Sequence, residues 1–169
     1  MNNNRYPYQF KTLLSVCPIV DLRERILNLK TVPQRPDFHP EGSVYNHTQI
    51  VVDRLASFRD QTLSWAAMFH DIGKDVTTKE NEKGILQAIG HEEVSGDLVR
   101  AYGPLMPGLA DWGLAEEVVR FHMRIKLFEQ MTLKKQMEMR RLRAFGYLLL
   151  FREADSMKTL TPEELNSIK

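Results

Sequence analysis

Four histidines and two aspartates in this sequence could act together as a metal centre: His47, His70, Asp71, His91, His122 and Asp155. The pair His70-Asp71 closes the most apolar stretch of the chain, Trp65-Ala-Ala-Met-Phe-His-Asp-Ile72. A segment apolar on nearly every face is a buried helix. An ionised carboxylate there needs a strong partner, which an arginine, a set of backbone amides or a metal ion could supply. The other four residues fall on apolar stripes at helical spacing. His47 aligns with Val51, Arg54-Leu55 and Phe58, and His91 with Val94, Leu98-Val99 and Tyr102. His122 aligns with Leu114-Ala115 and Val118-Val119, and Asp155 with Leu148 and Phe151-Arg152. A lone histidine on an apolar face is usually a satisfied core residue. Four on four different helices, with buried acids beside them, point to one shared partner. Helix bundles build metal sites from inward residues on facing helices. Imidazole nitrogens and carboxylate oxygens suit iron, manganese, nickel, cobalt, zinc or magnesium. Six ligands exceed what one tetrahedral ion takes and accommodate two, with Asp71 bridging.

The elements that must position these residues follow from the same periodicity. Residues 1–18 read as a loose arm closed by Cys17-Pro18, and Asp21 is the expected cap of a short helix through Leu29. Three prolines and a glycine between Thr31 and Ser43 predict an ordered loop. Helices are expected over about 44–58 and 62–72, the second stopped by Gly73. Residues 75–84 are polar, and the stretch after Asn81 reads as a small hairpin or an irregular lid. A further helix starts near Gly90 and breaks at Gly103 to Gly108. Asp111 caps the helix carrying His122, and one long helix spans about 138–156. Thr161-Pro162 opens a short terminal helix. No run alternates at period two, so the fold class is an all-α bundle with the metal site in its core. The expected organisation is a single globular domain, with residues 1–31 an arm and short helix ahead of a bundle over 32–169.

Composition narrows the classes further. With 169 residues, 43% hydrophobic and 27% charged, the chain can bury a sizeable core. Its single cysteine, Cys17, excludes a disulfide framework and any cysteine-based zinc pattern. The N-terminus lacks a signal-peptide pattern and nothing approaches a membrane span, so a soluble, cytoplasmic protein is expected. Charge is local rather than global. Residues 124–143 carry a net of +5 in a chain whose net is +1. That run is either a solvated face or a surface for a polyanion such as an RNA end.

The ordered motifs resemble a known family. His47, His70-Asp71 and Asp155 look like the metal-ligand pattern of the HD-domain superfamily, and His91 and His122 match the extra histidines of its dinuclear members. Val32-Pro-Gln-Arg-Pro-Asp-Phe-His-Pro-Glu-Gly42, Tyr45-Asn-His-Thr48, Phe69-His-Asp-Ile-Gly-Lys74 and Gly90-His-Glu-Glu-Val94 resemble the HD domain of bacterial tRNA CCA-adding nucleotidyltransferases. No Gly-rich strand-turn with paired carboxylates precedes residue 32, so nucleotide addition is not expected. The resemblance implies a metal-dependent phosphohydrolase, of phosphomonoesterase, nucleotidase or 2′,3′-cyclic phosphodiesterase type, acting on a nucleotide or an RNA end. Bound metal ions supply hydroxide near neutral pH and neutralise a phosphoryl oxygen, which fits that chemistry. Asp71, Lys74 and Arg124 are the candidate catalytic residues, the latter two as phosphate-holding cations. Glu41 and Glu92 are candidate acceptors orienting imidazoles, and His39 is structural or substrate-adjacent. The ligand set equally resembles mixed-valent di-iron oxygenases related to myo-inositol oxygenase. A third reading is an RNA-binding module using residues 124–143 beside a vestigial metal site. The cyclic-dinucleotide subclass is disfavoured because no Gly-Tyr-Pro follows His122.

Overall fold

The computed structural model describes residues 8–156 and 161–163. Its core is built around a buried helix α4, Gln61–Phe69. Asp60 caps it by accepting the Leu63 amide at 2.9 Å, and every residue from Thr62 to Ile72 is buried. Leu63, Trp65, Met68 and Phe69 lie at or below 1% exposure, each burial contributing about 2 kcal/mol. Helix α3, Val44–Leu55, is capped by Ser43 and packs along α4. Helices α6, His91–Tyr102, and α7, Trp112–Ile125, form a tight pair, and α7 and α9, Phe145–Ala154, close the bundle over α4. Asp111 caps α7 through the Leu114 amide at 2.9 Å, as expected. The only strands among the described residues, Lys79–Glu80 and Leu86–Gln87, form a two-stranded antiparallel hairpin. The class is all-α.

Several local expectations are corrected. The described part of the arm is not loose: Phe10–Val16 form helix α1, with Phe10, Leu13 and Cys17 buried against the core. Their spacing of 3 and 4 is amphipathic, and the Phe10 amide donates to Asp53 of α3 at 2.9 Å. Helix α2, Val20–Asn28, starts one residue before Asp21, whose carboxylate accepts the Tyr102 hydroxyl of α6 instead of capping. Helix α3 ends at Leu55, and a 3₁₀ turn over Ala56–Phe58 leaves Phe58 52% exposed. Helix α4 ends at Phe69, and residues 70–73 form a turn into the short α5, Lys74–Thr77.

The expected long helix over 138–156 is two. Helix α8, Leu133–Arg140, stops before a turn, and α9 begins at Phe145. The break is made from outside, because Glu117 of α7 accepts the Ala144 amide at 2.6 Å and ends the local ladder. The terminal helix expected at Thr161-Pro162 falls mostly outside the described residues.

Candidate metal centre

Each of the six residues is delivered by a different backbone feature. His47 lies in the middle of α3. His70 caps the C-terminus of α4, and Asp71 follows in the turn. His91 is the first residue of α6, aimed by Gly90 in the left-handed conformation at φ 80°. His122 sits in the last turn of α7, and Asp155 is the C-cap of α9. All six are buried, at 4% exposure or less.

The histidines share one orientation rule. His70, His91 and His122 each donate Nδ1–H to the carbonyl three residues earlier, Ala67, Ala88 and Val119, at 2.7–2.8 Å. His47 donates Nδ1–H to Glu41 Oε1 at 2.8 Å. With Nδ1 occupied, every Nε2 is aimed inward, and it offers a lone pair wherever the ring is neutral. Around them lies Asp71. Its Oδ2 is 3.3 Å from His70 Nε2 and 3.5 Å from His47 Nε2, while Oδ1 is 3.1 Å from His91 Nε2 and 3.7 Å from His122 Nε2. Asp155 Oδ1 stands 3.0 Å from His47 Nε2.

These atoms do not satisfy one another. His47 Nε2, His70 Nε2 and Asp155 Oδ1 are buried with no hydrogen bond of good geometry, while Asp71 Oδ2 and Asp155 Oδ2 each have a lysine ammonium as ion-pair partner, at 2.7 and 2.6 Å. His91 and His122 set two Nε2 atoms 3.3 Å apart. Since both Nδ1 atoms carry protons, that approach is lone pair against lone pair. Burial holds His122 down at about 4, so its ring is neutral and able to ligate. Buried imidazole nitrogens and carboxylates converging on one volume fit a cation. Three groups of donors lie close enough together to hold an ion: His39 with Glu41 and His47, already joined by hydrogen bonds, His47 with His70 and Asp155, and Asp71 with His91 and His122. The last two, converging in the core, fit one or two divalent ions.

The flanking residues divide by position. Lys74 places Nζ 2.7 Å from Asp71 Oδ2 and 2.8 Å from Gln34 Oε1, at the edge of the centre. Arg124 does not reach it: the residue is exposed, with its guanidinium over the Phe121 ring. Two positions beyond His122 is the far side of a helix, whereas four is the same side. Lys126 meets that requirement and sets Nζ 2.6 Å from Asp155 Oδ2, so the proximal cation of this helix is Lys126, not Arg124.

Glu41 comes from the loop ahead of α3, which Val44 and Gln34 close by backbone bonds to Val32 and Gly42. Burial opposes its ionisation, but hydrogen bonds from His39 and His47 hold its carboxyl down at about 2. Glu92 does not orient His91, because Ala88 O takes that proton and the carboxylate stands 3.5 Å off. His39 Nδ1 bonds Glu41 at 2.9 Å and lies on the wall of an open cleft. That cleft, about 1170 Å³, leads to Lys74, His91, Lys126 and Asp155. Glu41→Gln keeps an acceptor for His47 but removes the charge that sets its tautomer. Metal affinity should fall about tenfold, read by chelator competition.

A sequence profile of the HD domain matches residues 42–154. Among curated relatives, the Multifunctional CCA protein of Cupriavidus necator is 33% identical over 91 residues, covering 53% of this chain and 21% of its own. That of Thioalkalivibrio sulfidiphilus is 37% identical over 94 residues, covering 54% and 22%. That of Paraburkholderia phymatum is 41% identical over 71 residues, covering 41% and 16%. The chain thus spans about a fifth of the length of the curated relatives it matches. No solved structure matches significantly. Among the described residues, no helix is long and apolar enough to cross a membrane. With the profile covering most of the chain and the motif histidines and aspartates inside or adjoining it, the chain belongs to the HD-domain family, a superfamily of metal-dependent phosphohydrolases.

Proposed function

We propose that the chain hydrolyses a small phosphate ester, a nucleotide or the phosphorylated end of an RNA, at a centre of one or two divalent ions held by His47, His70, Asp71, His91, His122 and Asp155. The observation that carries this reading is the convergence of four buried histidine Nε2 atoms on the Asp71 carboxylate, beside a cleft whose wall includes His91, Asp155, Lys74 and Lys126. Bound there, divalent ions supply hydroxide at neutral pH and neutralise a phosphoryl oxygen. The chain's own residues do the rest. Glu41 keeps the His47 proton on Nδ1, and three backbone carbonyls do the same for the other imidazoles. Lys74 is placed to take a non-bridging phosphate oxygen as a point charge.

The basic run contributes little to this cleft. Of residues 124–143, Lys126 and Glu129 line it, while Lys134, Lys135, Arg140 and Arg141 are exposed on or beside α8. That favours a compact ester over an extended polyanion. The test is a panel on metal-reconstituted protein: p-nitrophenyl phosphate, bis-p-nitrophenyl phosphate, mononucleotides and 2′,3′-cyclic nucleotides. Phosphate-ester hydrolysis that needs divalent metal but neither oxygen nor reductant is the expected result, read as phosphate from the monoesters and as p-nitrophenol or a nucleoside monophosphate from the diesters. Turnover confined to aerobic, iron-loaded protein, with no ester of the panel hydrolysed, would identify the oxygenase instead. Salt dependence separates the substrates. An RNA-end substrate held by several phosphate contacts loses about 0.7 log units of affinity per contact per decade of salt, whereas a mononucleotide should give a shallow slope.

A further inference from the structure

We propose that Lys126 is a second phosphate-holding cation, working beside Lys74, and that the two together favour a phosphate monoester dianion over a diester. The proposal rests on the hydrolase reading above and narrows its substrate class.

Four cations line the cleft: Arg35, Lys74, Lys126 and Arg152. Two are already engaged by acids remote from the centre. Arg35 forks onto Asp37 and lies 4.6 Å over the Phe38 ring, and Arg152 pairs with Glu129 at 2.6 Å. Lys74 and Lys126 differ, because their carboxylate partners are candidate metal ligands, Asp71 at 2.7 Å and Asp155 at 2.6 Å. Those carboxylates adjoin one another around His47 Nε2, at 3.5 and 3.0 Å. The two ammoniums therefore line one cleft, each paired with one of two neighbouring candidate ligands.

Lys126 is placed there by helix geometry. It is the C-cap of α7, one turn beyond His122, and its side chain is 33% exposed. A stem of that kind lies along the wall while its head reaches the open cleft. Once divalent ions take Asp71 and Asp155, those oxygens no longer serve as full counter-charges for the lysines. An arriving phosphate is the nearest anion that does. Formal charge points the same way. Two divalent ions and two ammoniums against Glu41, Asp71 and Asp155 leave a surplus of three positive charges. A dianionic monoester with one hydroxide cancels that surplus, whereas a monoanionic diester leaves one charge unmet in a buried setting, where it is costly.

The bland alternative is that Lys126 serves only to neutralise Asp155. Three metal-reconstituted proteins separate the two: wild type, Lys126→Met and Lys126→Arg. Each is measured for metal content, for calorimetric binding of inorganic orthophosphate, and for kcat/KM on p-nitrophenyl phosphate and its bis ester. Lys126→Met should keep wild-type metal content and bind orthophosphate about tenfold more weakly. Its monoester-to-diester ratio should shift by a similar factor toward the diester, and Lys126→Arg should restore both. Loss of metal from Lys126→Met, or orthophosphate binding equal to wild type, would overturn the proposal. A wild type that binds orthophosphate through Lys126 yet cleaves neither ester would uphold the anion site and overturn the hydrolase reading instead.

Discussion

Replacing Asp71 by alanine should remove metal retention and turnover together. This side chain approaches every histidine of the centre, Oδ2 toward His47 and His70 and Oδ1 toward His91 and His122. No other carboxylate among the described residues has that reach, since Asp155 lies in the group of His47 and His70 alone. Burial opposes the charge of Asp71, but His70, Lys74 and the other imidazoles hold its carboxyl well below the usual range, so it is an anion at neutral pH. Without it, no side chain among the described residues reaches both groups of histidines. Phosphate release should fall by on the order of a thousandfold or more. Metal content should fall with it, and undiminished occupancy in that variant would remove Asp71 from the ligand set.

Gly73→Ala should be the most damaging single-methyl substitution near the site. The glycine is not there for backbone freedom, since its φ of −66° suits any residue. Space is the reason. An added Cβ would stand 2.6 Å from the carbonyl oxygen of His91, 2.9 Å from Val94 Cβ and 3.0 Å from the Ser95 amide. Two of those atoms are backbone, so α6 itself must move. The Gly73 amide also donates to Ser95 Oγ at 3.0 Å, a bond that shift would break. Overpacking of this kind costs about 3 kcal/mol when the neighbours cannot rotate away. For a chain of this size that is roughly 6–12 °C in Tm. Because His91 begins α6, metal affinity should drop as well. A melting temperature within a degree or two of wild type would show that α6 is free to slide.

Gly73 also illustrates how far the sequence could be read. Its position beside His70-Asp71 was plain, but its role as a contact point for α6, 18 residues on, depends on packing that no local pattern encodes. The six convergent residues were legible because each is a polar side chain at helical spacing among apolar ones, and the structure brings them together. The Asp111 cap was legible for the same local reason. Helix α1 was obscured by Pro18 and a polar start, although Phe10, Leu13 and Cys17 carry the 3–4 spacing of a buried stripe. The break between α8 and α9 had no glycine or proline to announce it, because Glu117 of α7 makes it from across the bundle. Lys126 was within reach: four residues past His122 is the same helix face, and Arg124, two residues past, is not.

The most direct test of the account is the metal stoichiometry of reconstituted, dialysed protein, measured by mass spectrometry beside His122→Ala. The geometry predicts about two ions per chain in wild type, one in each His/Asp group. In His122→Ala it predicts about one, retained by His47, His70 and Asp155 with Asp71. Wild-type protein that retains no metal after dialysis would contradict the account at its centre.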